Sequence, residues 1–305
     1  MVQKFWDNNV SIRERDVYPN HNLSRFIEAG GLRWHVQQSG QGPRLLLVHG
    51  AASSTHTWRN VLPILSHHYT VLAVDLPGHG LSGLIPVSQS SIVGVSNLLA
   101  ALLAEIHFDP AVVVGHSAGA VILCNMAIGH QINPRVIVSI NGAFLPLLGT
   151  AGILISQLAK LFARRSFLPR MLARRAFDRE NVARVLEATG SHLDEEGIDL
   201  YAQLMQRPDH ILGALRMMSQ WDLTSFKSQL RMLTQPLALL VARDDKAVPL
   251  QQAIEVMEYV KNATLYPIPD LGHLAHEERP DLVGERILQI VEPYAIGDRA
   301  PTAVP

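Results

Sequence analysis

Residues 111–130 read AVVVGHSAGAVILCNMAIGH. The β-branched run AVVV is followed by Gly115-His116-Ser117-Ala118-Gly119 and then by the apolar run AVILCNMA. No Asp, Glu, Lys or Arg lies between Asp109 and Arg135, so the stretch is long and apolar enough to raise a membrane span. Gly115, His116, Ser117, Gly119, Asn125, Gly129 and His130 interrupt it, and the better reading is a buried strand, a turn and a buried helix. G-x-S-x-G between a strand and a helix is the pattern of a nucleophile elbow. Gly115 and Gly119 permit a strained turn that lifts the Ser117 hydroxyl into the open. The helix amino terminus behind it favours developing negative charge.

Outward from this turn, short continuous apolar runs recur. LLLV lies in a strand expected over Arg44–His49, VLAV in Thr70–Asp75, and further strands are expected at Ala111–Gly115, Arg135–Asn141, 237–242 and Thr264–Ile268. Runs of this kind are buried on both faces of a parallel sheet. Helical patterns at 57–67, 90–107, 118–130, 250–261 and 281–293 alternate with them, which predicts an α/β fold with a mostly parallel sheet flanked by helices. Arg25–Ala29 and Leu32–Gln38, joined by Gly30-Gly31, predict an antiparallel hairpin at one edge. The rhythm breaks over 143–230, where the patterns at 151–163, 170–187, 195–206 and 209–220 are all helical. Pro169 and Pro208 suit helix starts, and Ser191 opens a possible capping box. The expected organisation is an arm at 1–24, a core of 25–142 and 231–296, an inserted helical cap at 143–230, and a tail at 297–305.

The nucleophile needs a base, and the base needs an orienting acid. The elbow architecture predicts the order Ser, acid, His. Asp244-Asp245 follow LALLVA, and His273 follows the strand ending near Ile268. Asp245 and His273 are the expected partners, with Asp244 and His276 as their rivals. An oxyanion hole needs backbone N–H groups; Ala118 is expected to supply one and Ala51, ahead of Ala52, the other. His49 reads as a hydrogen-bonded structural residue, and Asp75-Leu-Pro-Gly-His-Gly as a turn shaping the pocket rim. His273-x-x-His276-Glu277 matches neither H-E-x-x-H nor H-x-x-E-H, so no metal is expected. No G-x-x-x-x-G-K-[ST] is present, and no nucleotide cofactor is expected.

Composition narrows the partners. The 305 residues are 48 % hydrophobic and 17 % charged, which excludes a disordered chain. A net charge of −1 argues against a general nucleic-acid binder. Cys124 is the one cysteine, sits in VILCNMA and reads as a core thiol; alone it makes neither an internal disulfide nor a Cys-based zinc site. The first sixteen residues, MVQKFWDNNVSIRERD, hold no apolar signal segment, and the expected compartment is reducing and cytoplasmic. Neutrality is not uniform. Lys160, Arg164, Arg165, Arg170, Arg174, Arg175, Arg179 and Arg184 stand against Asp178 and Glu180, a net +6 over residues 160–184. Such a stretch can meet an anionic membrane surface peripherally, an anionic partner or an acidic substrate, or be a solvated face.

LLLVHG, DLPGHG, GHSAG, the D-x-x-V-P beginning at Asp245, and LGHLAHEERP together resemble the α/β-hydrolase family, over about residues 25–295. The resemblance implies that family's fold, with Ser117, Asp245 and His273 as its triad and 143–230 as its cap. A narrower resemblance is carried by SRFIEAGGLRWHVQQSGQGP, HGAASSTHTWRN, NGAFLPLLGTAG, ATGSHLD and GALRMMSQWDL. These segments are similar to the magnesium-chelatase accessory proteins of bacteriochlorophyll biosynthesis in photosynthetic bacteria. That likeness implies a role near magnesium insertion into protoporphyrin, with chelatase subunits as partners. That group's reaction is not carried over; the triad itself implies ester or thioester hydrolysis, with a small apolar, anionic substrate such as a porphyrin ester expected. The alternatives are a non-catalytic porphyrin-binding or chelatase-docking protein, and a general carboxylesterase or cofactor-free perhydrolase.

Overall fold

The computed structural model describes residues 18–146 and 178–295. The helix expected over 151–163, the start at Pro169 and residues 160–177 of the basic stretch lie outside the described residues, as do most of the arm and the tail.

Eight strands form one sheet among the described residues. They are β1 (Ser24–Ala29), β2 (Leu32–Ser39), β3 (Arg44–Val48), β4 (Thr70–Val74), β5 (Val112–His116), β6 (Val136–Ile140), β7 (Leu237–Ala242) and β8 (Ala263–Ile268). Their order is β1-β2-β4-β3-β5-β6-β7-β8. β1 pairs with β2, and β2 with β4, antiparallel; every other pair is parallel. Gly30 and Gly31, at φ 60° and 74°, make the β1–β2 turn, the left-handed pair that a two-residue hairpin requires.

The apolar runs are continuous because both sheet faces are covered. Leu46, Val48, Leu72 and Val74 face one cluster, which includes Leu99 and Leu102 of α2 (Ile92–Glu105) and Ile122 of α3 (Ala118–Ile128). Leu45, Leu47, Val71 and Ala73 face the other, which includes Leu62 of α1 (Val61–Ser66). Alternate residues of each strand thus feed opposite layers. The uncharged stretch after Asp109 is divided between β5 and α3. No helix among the described residues is long and apolar enough to cross a membrane. Cys124 is fully buried in α3, and burial pushes its thiol pKa up.

Between β6 and β7 the described elements are helical. α4 (Arg179–Ala188) is capped by Asp178, α5 (Glu195–Met205) by Asp194, and α7 (Leu223–Gln229) by Asp222. α6 (Pro208–Ser219) begins on its proline, where a missing N–H costs nothing. Ser191 is not a helix cap. Its hydroxyl accepts instead from the Leu274 N–H at 2.9 Å, while Asp194 accepts from the Gly197 N–H. The backbone turns helical only at Glu195, so Asp194 is the residue placed to cap. The short polar α7 was not among the expected helices. After β7 come α8 (Leu250–Met257), α9 (Ala275–Glu278) and α10 (Pro280–Ala295). Ile287 and Val291 of α10 complete the layer shared with α1.

Candidate active site

β5 ends at His116, α3 begins at Ala118, and Ser117 is the whole connection. Its backbone sits at φ 49°, ψ −114°, a costly conformation for a side-chain-bearing residue. Close approach holds it there. A Cβ on Gly119 would collide with the carbonyl oxygens of Val48 and His49, and one on Gly115 with the Ala120 backbone. The helix therefore lies directly against the end of β3. Ser117 itself is partly exposed, and its N–H donates to the Ile140 carbonyl at 3.0 Å.

Asp245 lies three residues beyond β7 and is buried. Its Oδ1 accepts from the Ala247 and Val248 N–H groups at 2.8 and 2.7 Å. That leaves Oδ2 aimed at His273 Nδ1, 2.8 Å away. The neighbouring Asp244 is exposed and does not reach the histidine. His276 is also turned elsewhere. Its Nε2 is 2.7 Å from Thr57 Oγ1, and its ring rests on those of Trp58 and His116. Burial, with His273 and Arg59 nearby, holds its imidazole well below the ordinary pKa. The structure thus brings together Asp245 and His273 and separates both rivals from them.

The His273 ring stands 4.7 Å from that of His116, the residue before Ser117. Among the described residues Ser117 Oγ has no hydrogen-bond partner. Facing the serine, Gly50–Ser53 form a turn closed by a Ser53 N–H to Gly50 carbonyl bond, with Ala52 at φ 58°. Among the described residues the N–H groups of Ala51 and Ala52 have no acceptor. Ala118, as the first residue of α3, has no intrahelical acceptor either.

His49 is structural. Its Nδ1 donates to the Gly50 carbonyl at 2.7 Å, and its Nε2 accepts from the Leu76 N–H at 2.9 Å. Burial lowers its pKa. Asp75 does more than shape a rim. Its carboxylate accepts from the Thr55 and Leu81 N–H groups and pairs with His35 Nδ1 at 2.7 Å. Burial alone would raise its pKa, but His35 and these hydrogen bonds outweigh it and hold the carboxyl far below the usual range. Glu277 was also not anticipated. It accepts from Thr57 and Tyr201 hydroxyls and pairs with the buried Arg59. Burial still leaves its carboxyl pKa raised. Among the described residues no cluster of His, Cys, Asp or Glu is arranged to hold a metal ion.

The model of the alpha/beta hydrolase family matches residues 45–286. The chain belongs to that family. Within it, the chain is 34 % identical over 277 residues to a protein of Rhodobacter capsulatus named Magnesium-chelatase 30 kDa subunit, covering 90 % of this chain and 96 % of that one. It is 26 % identical over 270 residues to the 2-hydroxy-6-oxo-6-(2'-aminophenyl)hexa-2,4-dienoic acid hydrolase of Metapseudomonas resinovorans, covering 85 % of this chain and 87 % of that one. Among solved structures, an alpha/beta hydrolase fold protein from Burkholderia ambifaria superposes with a TM-score of 0.73 at 22 % identity, over 88 % of this chain and 97 % of that one. This last likeness speaks for the fold alone.

Proposed function

We propose that the protein is a serine hydrolase that acts in bacteriochlorophyll biosynthesis beside magnesium chelatase. The observation that carries the chemistry is the 2.8 Å pairing of Asp245 with His273 next to an elbow serine. The pathway rests on the similarity to the 30 kDa subunit of Rhodobacter capsulatus. In this reading Ser117 Oγ attacks a substrate carbonyl carbon and passes its proton to His273 Nε2. Asp245 holds the imidazole by its Nδ1–H and stabilises the imidazolium. The N–H groups of Ala51 and Ala118 receive the oxyanion. The tetrahedral intermediate collapses, the bond to the leaving group breaks, and that group takes the proton from His273. Water then cleaves the acyl-enzyme by the same steps.

The organisation that goes with this reading is a core of 25–142 and 231–296 with 143–230 as a cap. The net +6 over residues 160–184 supports an anionic substrate, partner or surface on the cap side. An ester or thioester with an apolar body is the substrate class, a porphyrin ester being one member. A fluorophosphonate probe tests the chemistry: wild type labels, and Ser117→Ala does not. A wild type that never labels overturns it.

A second reading is a non-catalytic protein that binds a porphyrin or docks on the chelatase. The name of the Rhodobacter capsulatus relative favours it. Complementation separates the two. A Ser117→Ala protein that fully restores pigment formation in a strain lacking the gene makes catalysis dispensable.

A further inference from the structure

We infer that Asn141 is a positioning residue, the side chain that holds the acid loop and the base loop at one spacing. The inference rests on the hydrolase reading of Ser117, Asp245 and His273.

His273 stands in a segment, 269–274, that is neither helix nor strand. Buried backbone groups in such a loop must find partners outside the regular ladders. One is main-chain, the Asp244 N–H to Leu271 C=O bond at 3.0 Å, and side chains supply others. Gly272 N–H donates to Glu278 at 2.9 Å, and Leu274 N–H to Ser191 at 2.9 Å. His273 C=O accepts from His116 Nε2 at 3.0 Å. Asn141 Nδ2 donates to two carbonyls at once, Gly272 at 3.1 Å and His273 at 2.9 Å.

The other end of the same amide faces the acid. Asn141 Oδ1 accepts from the Ala242 N–H at 2.8 Å. Ala242 is the last residue of β7, three before Asp245. One planar group therefore ties the base loop to the end of the strand from which the acid loop leaves. Its backbone adds two more ties. Asn141 N–H donates to the Leu240 carbonyl, and the carbonyl of Ile140 just before it accepts the Ser117 N–H. The junction of residues 140 and 141 thus touches the loops of nucleophile, acid and base.

Sequence chemistry explains why asparagine is needed. Residue 141 has φ 47°, a left-handed conformation that Asn, Asp and Gly tolerate best. Of these, only Asn offers a donor and an acceptor on one rigid plane. Aspartate would keep the Ala242 bond and turn a carboxylate oxygen on two carbonyl oxygens. Glycine would keep the backbone and remove both arms. The side chain is buried, so water does not stand in for either.

The test compares wild type with Asn141→Asp and Asn141→Gly. The readouts are the rate constant for fluorophosphonate labelling, kcat and KM on a p-nitrophenyl ester, and the downfield proton resonance of His273 Nδ1–H. Misplacing a catalytic group by about 1 Å costs about 100-fold. Asn141→Asp is expected to label about 30- to 100-fold more slowly, with kcat reduced, KM little changed, and the resonance shifted or lost. Asn141→Gly is expected to behave alike with a smaller loss. Two folded variants that label within about twofold of wild type and keep the resonance overturn the assignment. If Asn141→Asp does not fold, Asn141→Gly decides. If neither folds, Asn141 is a folding determinant and the positioning role is overturned. A wild type that never labels overturns the hydrolase reading instead, and the resonance then decides the role of Asn141.

Discussion

The turn at Ser117 and the loop at His273 are built by opposite means. The first is held by what is missing. Gly115 and Gly119 lack the Cβ that would collide with Ala120, Val48 and His49, and the constraint is written within five consecutive residues. The second is held by what is added. Asn141, His116, Ser191 and Glu278 reach its backbone from four parts of the chain. Steric exclusion gives a rigid, all-or-none feature. A web of hydrogen bonds gives one that can be weakened a strand at a time.

The comparison predicts graded outcomes. Gly119→Val should be the most severe, because the carbonyls it meets belong to the last residue of β3 and the one after it. More than ~3 kcal/mol of stability should be lost, measured by denaturant unfolding; a variant of near wild-type stability would remove steric exclusion as the elbow's basis. Asp245→Asn comes next. It should leave the melting curve nearly unchanged and slow labelling by about 10³- to 10⁴-fold.

Acid should act on the hydrogen-bonded parts before the steric ones. Burial is the main cause that lowers the pKa of His49, His56, His79, His116, His210 and His276 from 6.5, to about 3 for His56 and His79. The unfolded chain takes up protons near pH 6.5 that these rings refuse when folded. Their contribution is therefore fully present above about pH 6.5 and is lost as pH falls, by up to about 1.4 kcal/mol per ring and pH unit. The melting midpoint should drop steadily from about pH 7 to about pH 4, and His56→Gln should make that drop shallower. The smallest effect is expected from Ser191→Ala. Loss of the acceptor for Leu274 N–H should cost about 1 kcal/mol and slow labelling a few-fold, without altering the sheet's hydrogen-exchange protection.

The same contrast explains what could be read from sequence. The turn at Ser117 was legible because strand, glycines and helix follow one another directly. Asp245 and His273 could be singled out because each follows an expected strand, and the structure pairs them at 2.8 Å. Their rivals could not be set aside from sequence alone, since only the fold sends His276 to Thr57 and leaves Asp244 exposed. Asn141 left no local signal: it lies 101 residues from Ala242 and 132 from His273. Ser191 left a misleading one. Its spacing to Asp194 imitates a capping box, but its real partner is 83 residues away. Glu277 and Arg59 are 218 residues apart, and no pattern on either side announces a buried pair.

The short run Thr189–His192 belongs by sequence to the inserted helices, yet it serves the core. Thr189 C=O accepts from Lys246 N–H, Ser191 holds Leu274, and His192 N–H shares Glu278 with Gly272. A Cβ on Gly272 would strike the Gly190 backbone. The insertion is consequently not an interchangeable module. A chimera that takes these helices from a relative but keeps Thr189–His192 with the host retains the support of the His273 loop. A chimera spliced at the ends of β6 and β7 trades that support away along with the helices.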